Sequence, residues 1–138
     1  MIAPEDAVTS VLAVSPDHEV RGKKRIQKII FFCTYCDAPI AAHFSIRHFG
    51  VFSREIAVAL DVLTTFGDLD VNDKQIGPNG YFTSVYSLAG KPKHKPDPAI
   101  TKVVQALADY STPSLEVAST VAYFRMHGLS EEQAMKGG

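Results

Sequence analysis

The chain has 138 residues, 46% of them apolar and 21% charged, with a formal net charge of −1. That leaves no room for two large domains, and a chain of this size buries about two thirds of its unfolded surface, enough for a core without metal or disulfide staples. Two cysteines do not make a secreted disulfide scaffold, balanced charge argues against a general nucleic-acid coat protein, and no apolar run approaches the ~20 residues of a membrane span.

Glu5 and Asp6 follow the first residues at once, so no basic-then-apolar leader is visible and the expected location is cytoplasmic. Pro4, Glu5 and Asp6 open a first helix through Ala7, Val8, Val11, Leu12 and Val14, which Ser15-Pro16 ends. From Gly22 to Cys36, Ile26, Ile29, Ile30 and Cys33 repeat at helical spacing and predict a second helix, stopped by Asp37-Ala38-Pro39. Alternation of Phe44 and Ile46 with His43, Ser45 and Arg47 predicts a strand over 42–49, broken by Gly50. Ser53 stands at an N-cap position ahead of Ile56, Leu60 and Leu63, so a third helix runs to about Phe66 and stops at Gly67. Leu69 to Ile76 and Tyr81 to Leu88 read as two strands joined by a Gly77-Pro78-Asn79-Gly80 turn. A basic, proline-rich stretch from Gly90 to Pro98 reads as a linker. Ile100, Val103, Val104 and Leu107 then mark a fourth helix, and Leu115 to Met126 a fifth with Pro113 near its start. A last short helix is expected from Ser130, where Gln133 completes a capping pattern.

Three helices, a small strand after the second, and a closing hairpin outline a winged helix-turn-helix of α+β class. Residues 1–90 form that core, 91–98 the linker and 99–138 the C-terminal helices, all in one domain. The run Arg21-Gly22-Lys23-Lys24-Arg25-Ile26-Gln27-Lys28-Ile29-Ile30-Phe31-Phe32 and the run from Phe44 to Ile56 resemble the YwgA-like group of small bacterial winged-helix proteins. That group has a similar Leu-Gln-Lys-Leu-Val-Tyr helix and a Tyr-Gly-Pro-Tyr-Ser turn. Leu115-Glu116-Val117-Ala118-Ser119-Thr120 is similar to its Leu-Glu-Leu-Ala-Ala-Thr segment, so the resemblance spans nearly the whole chain. The same helix and turn occur more distantly in the Panacea antitoxin domain. Val51 replaces the proline of the family turn, which leaves the entry into the third helix less rigidly set. The resemblance implies a fold and a regulatory role, without catalytic residues.

Arg21, Lys23, Lys24, Arg25 and Lys28 place five cations at the start of the second helix, where the helix dipole disfavours them. They suit phosphates or an acidic partner, although a solvated helix face is the commoner meaning of such a run. Arg47 and Arg54 flank the turn into the third helix, where free backbone amides would hold an anion, with a capped turn as the plainer alternative. Lys91, Lys93 and Lys95 form a second basic stretch, either a solvated linker or an arm that grips an acidic strand. The third helix carries few base-reading side chains; Val58 and Val62 add a second apolar stripe, which the C-terminal helices or a partner protein would cover. Asp61, Asp68, Asp70 and Asp73 would repel phosphates.

Cys33-Thr34-Tyr35-Cys36 has metal or redox spacing, and His43 and His48 follow. The Cys-to-His gap is shorter than in zinc fingers, no second Cys pair occurs, and the pair falls at a helix C-terminus, so buried thiols are expected and no metal. No phosphate loop, Gly-x-Ser-x-Gly elbow or His-Glu-x-x-His pair is present. The expectation is a non-enzymatic regulatory module without cofactor or small-molecule substrate, acting on a protein partner or as a homodimer. DNA binding through the basic segments is the alternative, and no membrane association is expected.

Overall fold

The computed structural model describes residues 1–48, 50–76, 78 and 81–128. The chain runs as α1 (Pro4–Val14), β1 (Glu19–Arg21), α2 (Lys23–Tyr35), β2 (Ser45–Arg47), β3 (Gly50–Phe52), α3 (Arg54–Thr65), β4 (Leu69–Ile76), β5 (Tyr81–Leu88), α4 (Pro98–Leu107) and α5 (Thr112–Met126). It is an α+β protein with two antiparallel sheets, one of order β1-β5-β4 and one formed by β2 and β3.

Four of the five α-helices start on a proline or a side-chain cap, α2 being the exception. Pro4 occupies the first turn of α1, with Glu5 and Asp6 beside the positive end of the dipole. The Ser53 hydroxyl accepts the Ile56 N–H at 3.4 Å to cap α3, Asp97 accepts the Ala99 N–H at 2.8 Å to cap α4, and Ser111 accepts the Ser114 N–H at 3.2 Å to cap α5. Apolar faces at three- and four-residue spacing then meet in one core: Val8, Val11 and Leu12 from α1, Ile26, Ile29 and Ile30 from α2, Ile56, Leu60 and Leu63 from α3. Ile100, Val103 and Val104 of α4 and Leu115 of α5 belong to the same core. Each such side chain is worth about 1.5–3 kcal/mol on burial. A smaller cluster joins Phe31, Val51 and Ala122, with the Phe31 ring edge-on to Phe32 and Phe44 at 5.5 and 5.4 Å.

α2 lies at the centre, packed on α1, α3, α4, α5, β1 and β3. Ile26 to Phe31 are buried without interruption, which places the polar heads of Gln27 and Lys28 inside. Gln27 meets that demand by a reciprocal pair with the backbone of Ser53: its amide donates to the Ser53 carbonyl at 2.9 Å and its oxygen accepts the Ser53 N–H at 2.8 Å. Lys28 donates to the Val51 carbonyl at 3.2 Å.

The structure departs from expectation in three places. The strand expected over 42–49 is only β2, Ser45–Arg47, and Gly50 begins a second strand that pairs back on it, Ser45 with Phe52 and Arg47 with Gly50. Gly50 has φ +88°, which favours glycine, and a Cβ there would fall 3.2 Å from Thr120 Oγ1 of α5, a tight approach. β1 was not expected: its three residues have no periodicity of their own and become a strand by pairing Val20 with Tyr86 of β5. Asp17 and His18, both at positive φ, carry the chain from α1 into it. The 69–76 and 81–88 strands form the expected hairpin, Leu69 opposite Leu88. Its turn lies, apart from Pro78, outside the described residues, as does the helix expected from Ser130.

Replacing Gln27 by leucine keeps the volume but orphans a buried N–H and C=O at Ser53, each worth about 1–3 kcal/mol. Gln27→Leu is expected to lower the unfolding free energy by about 3 kcal/mol in urea titrations followed by circular dichroism. A loss below about 1 kcal/mol would mean that the pair does not hold α3 to α2.

Candidate interaction surfaces and a cleft at the start of α2

Gly22 precedes α2 with φ +89°, and its N–H donates to the Ser84 carbonyl of β5 at 2.7 Å, which ties the basic end of α2 to the sheet. The five cations grouped by sequence then separate. Arg21, Lys23 and Lys24 are exposed. Arg25 points to the corner between α4 and α5, donating to the carbonyls of Tyr110 at 2.7 Å and Leu107 at 3.1 Å. Burial lowers its pKa from the usual arginine value, and the C-terminal carbonyls of α4 are natural acceptors for a cation. Lys28 is only 1% exposed. Desolvation lowers its pKa, the nearby Glu116 of α5 opposes that shift, and Lys24 adds to it. Lys28 is therefore interior, and the half-buried Arg25 is engaged at the α4–α5 corner.

Between the first turns of α2, the inner side of α3 and the α4–α5 corner lies a cleft of about 1140 Å³. Its walls are mostly carbon, contributed by Phe52, Ala57, Leu60, Tyr110 and Pro113 among others, while Arg21, Lys23 and Lys24 stand around it with Asp17 and Asp61. Glu19, also at its edge, pairs with Lys74 at 3.7 Å. No element of the sequence pattern announces this cleft, because its walls come from segments more than 80 positions apart.

On α3 the buried face is Ile56, Ala59, Leu60 and Leu63. Val58, Val62 and Phe66 follow one another at intervals of four along another face and remain 49%, 37% and 78% exposed. The C-terminal helices, expected as the first candidate cover for Val58 and Val62, pack elsewhere: α4 on α1 and α2, α5 on α2 and β3. Phe66, read from sequence only as a helix end, is the most exposed member of this stripe. Its signal was the continuation of the four-residue interval past the cap. Tyr86 of β5 approaches the same helix; burial pushes its phenol upward in pKa, and the charges of Asp61 and Asp73 add to that.

The turn into α3 is closed to anions at Ser53, which is buried with its N–H taken by Gln27 and its hydroxyl by the Ile56 N–H. Arg47 lies over the Phe52 ring at 5.5 Å, and Arg54 is exposed at the first turn. Glu55 accepts from the His43 backbone at 2.8 Å and faces the His43 ring at 2.9 Å; these bonds hold its carboxyl below the usual glutamate range. Lys91, Lys93 and Lys95 are exposed, and Lys93 pairs with Asp68 at 3.3 Å. Cys33 is buried and Cys36 exposed. Desolvation, with smaller contributions from Cys36 and Asp97, pushes the Cys33 thiol up to about 12. Among the described residues no group of three or more His, Cys, Asp or Glu is placed to hold a metal ion, and no helix is long and apolar enough to cross a membrane.

The chain is similar to an uncharacterized protein of Bacillus subtilis (strain 168), YwgA, with 27% identity over 126 residues, 86% of this chain and 73% of that relative. The match supports the YwgA-like resemblance. No protein-family model and no solved structure matches the chain.

The two thiols are expected to differ sharply in reactivity, because only the thiolate attacks a disulfide reagent and Cys33 is buried as the thiol. At pH 8 the native protein should titrate one thiol with Ellman's reagent, and Cys36→Ser should titrate none until denaturant is added. Prompt reaction of both thiols in the native protein would contradict this packing.

Proposed function

We propose that the chain is a non-enzymatic regulatory module of winged-helix type that works by protein contact through the exposed face of α3. The element order supports the winged-helix reading: helix, strand, helix, helix and hairpin, with β1 added to the hairpin along β5 and the small β2–β3 hairpin between the second and third helices. The observation that carries the protein-contact reading is the alignment of Val58, Val62 and Phe66 on one uncovered face of α3. Apolar side chains in such a row lose nothing by desolvation and suit the centre of a protein interface. Base readout needs Arg, Lys, Asn or Gln, and after Arg54 the helix has none. Asp61 on the same helix, and Asp70 and Asp73 on β4, add negative charge that disfavours a phosphate backbone. DNA binding remains the second reading because Arg21, Lys23 and Lys24 stay exposed together at the start of α2.

A photocrosslinking residue at position 62, introduced in the native host, is expected to give a discrete protein adduct, at the size of two copies or of this chain with another. Val58→Asp should remove that adduct while leaving the circular dichroism spectrum unchanged. In parallel, fluorescence anisotropy against a mixed-sequence duplex at low salt should show no micromolar binding. Absence of any adduct, together with salt-sensitive DNA binding lost on Lys23→Glu and Lys24→Glu, would replace this reading by the second.

A further inference from the structure

We infer that the cleft at the start of α2 is a binding site for a small organic anion with an apolar body, such as an acyl or aromatic carboxylate or phosphate ester. The inference is independent of the protein-contact reading, since it uses the inner side of α3 and not the Val58, Val62 and Phe66 face.

Three observations combine. The first is volume: about 1140 Å³ is ample for a drug-sized ligand, whose pockets are commonly about 300–1,000 Å³. The second is the wall chemistry. Ala57 and Leu60 of α3, Phe52 of β3, and Tyr110 and Pro113 of the α4–α5 corner surround the space with carbon. An apolar body gains there by leaving water, at roughly 25 cal/mol per Å² of its surface. The third is the charge at the edge. Arg21, Lys23 and Lys24 border the cleft, and the first turn of α2 contains no acid. Cations in a first turn oppose the helix dipole, and an anion bound beside them suits that end of the helix. Asp17, Glu19 and Asp61 also border the cleft, Glu19 in an ion pair with Lys74 at 3.7 Å.

This combination selects against the larger anions. A duplex backbone presents its phosphates on a convex surface and would meet the basic rim without entering, which leaves the carbon walls unused. A bare inorganic ion would use the rim alone. Only a ligand with both parts satisfies both the walls and the rim.

The rigidity of the far wall adds to the case. Arg25 holds the α4–α5 corner through the Tyr110 and Leu107 carbonyls, so the wall is fixed to α2 before any ligand arrives. A site already formed loses little to ordering on binding.

The probe is 8-anilinonaphthalene-1-sulfonate, an aromatic sulfonate whose fluorescence rises in apolar surroundings, followed by displacement with decanoate and with neutral decanol. One site of micromolar affinity is expected, with decanoate displacing the probe at least tenfold more effectively than decanol. Lys23→Glu with Lys24→Glu should weaken probe binding tenfold or more. Ala108→Trp, which adds bulk at an exposed position lining the cleft, should abolish it, with circular dichroism confirming that both variants are folded. Val58→Asp with Phe66→Ser should leave it unchanged, which separates this site from the α3 face. Binding that survives Ala108→Trp, or is lost only in the α3 double variant, or is absent from the wild type, or is displaced equally by decanoate and decanol, overturns the inference.

Discussion

The side-chain amide of Gln27 is the connection on which the arrangement of this protein depends. α2 is enclosed by four other helices and parts of both sheets, and over Ile26 to Phe31 it has no side on which polar groups can meet water. Gln27 resolves this by taking both backbone groups of Ser53, as a neighbouring strand would, at the residue that caps α3. This buried pair ties the capped start of α3 to α2, while the packing of α3 on α1 turns Leu60 and Leu63 inward and leaves Val58, Val62 and Phe66 on the outside.

A similar economy governs the cations of α2. Sequence places four of them in its first two turns, with Arg21 just ahead in β1, yet Arg25 and Lys28 act as struts: one binds the carbonyls at the end of α4, the other reaches the Val51 carbonyl near Glu116. With Lys28 buried and Arg25 engaged at the α4–α5 corner, the exposed basic patch is Arg21, Lys23 and Lys24, at the rim of a cleft. Local charge density in a sequence thus overstates the exposed field whenever some of those charges terminate other helices. The α4–α5 corner is held close because of one of these struts, so the cleft and the division of charge share a cause.

The protein then presents two surfaces of opposite character on adjoining elements. The outward face of α3 is apolar and open, while the cleft behind it is apolar within and basic at its edge. α3 contributes to both, through different faces of one helix. Its caps and core residues make it rigid, and its position is set by α2 and α1, not by anything bound to it. Asp61 and Asp73 act together on Tyr86, and Asp61 also stands at the edge of the cleft, so negative charge from α3 meets the basic rim there.

Elements with a strong local signal were legible from sequence alone. The five described helices, the caps at Ser53 and the proline at the start of α1, and the β4–β5 hairpin follow from periodicity and cap chemistry, which act over a few residues. The same periodicity shows Val58 and Val62 as a second apolar stripe, without saying whether the C-terminal helices or a partner protein would cover it. What only tertiary structure decided was every relation between distant segments. β1 exists because β5 lies beside it, Gly50 starts a strand because β3 pairs back on β2, and the greasy face of α3 stays exposed because α4 and α5 found α1 and α2 instead. The cleft belongs to this second class, as does the fate of Arg25 and Lys28. Periodicity records which side of an element avoids water, but not which other element will cover it, and that choice depends on packing among surfaces that the chain brings together only when folded.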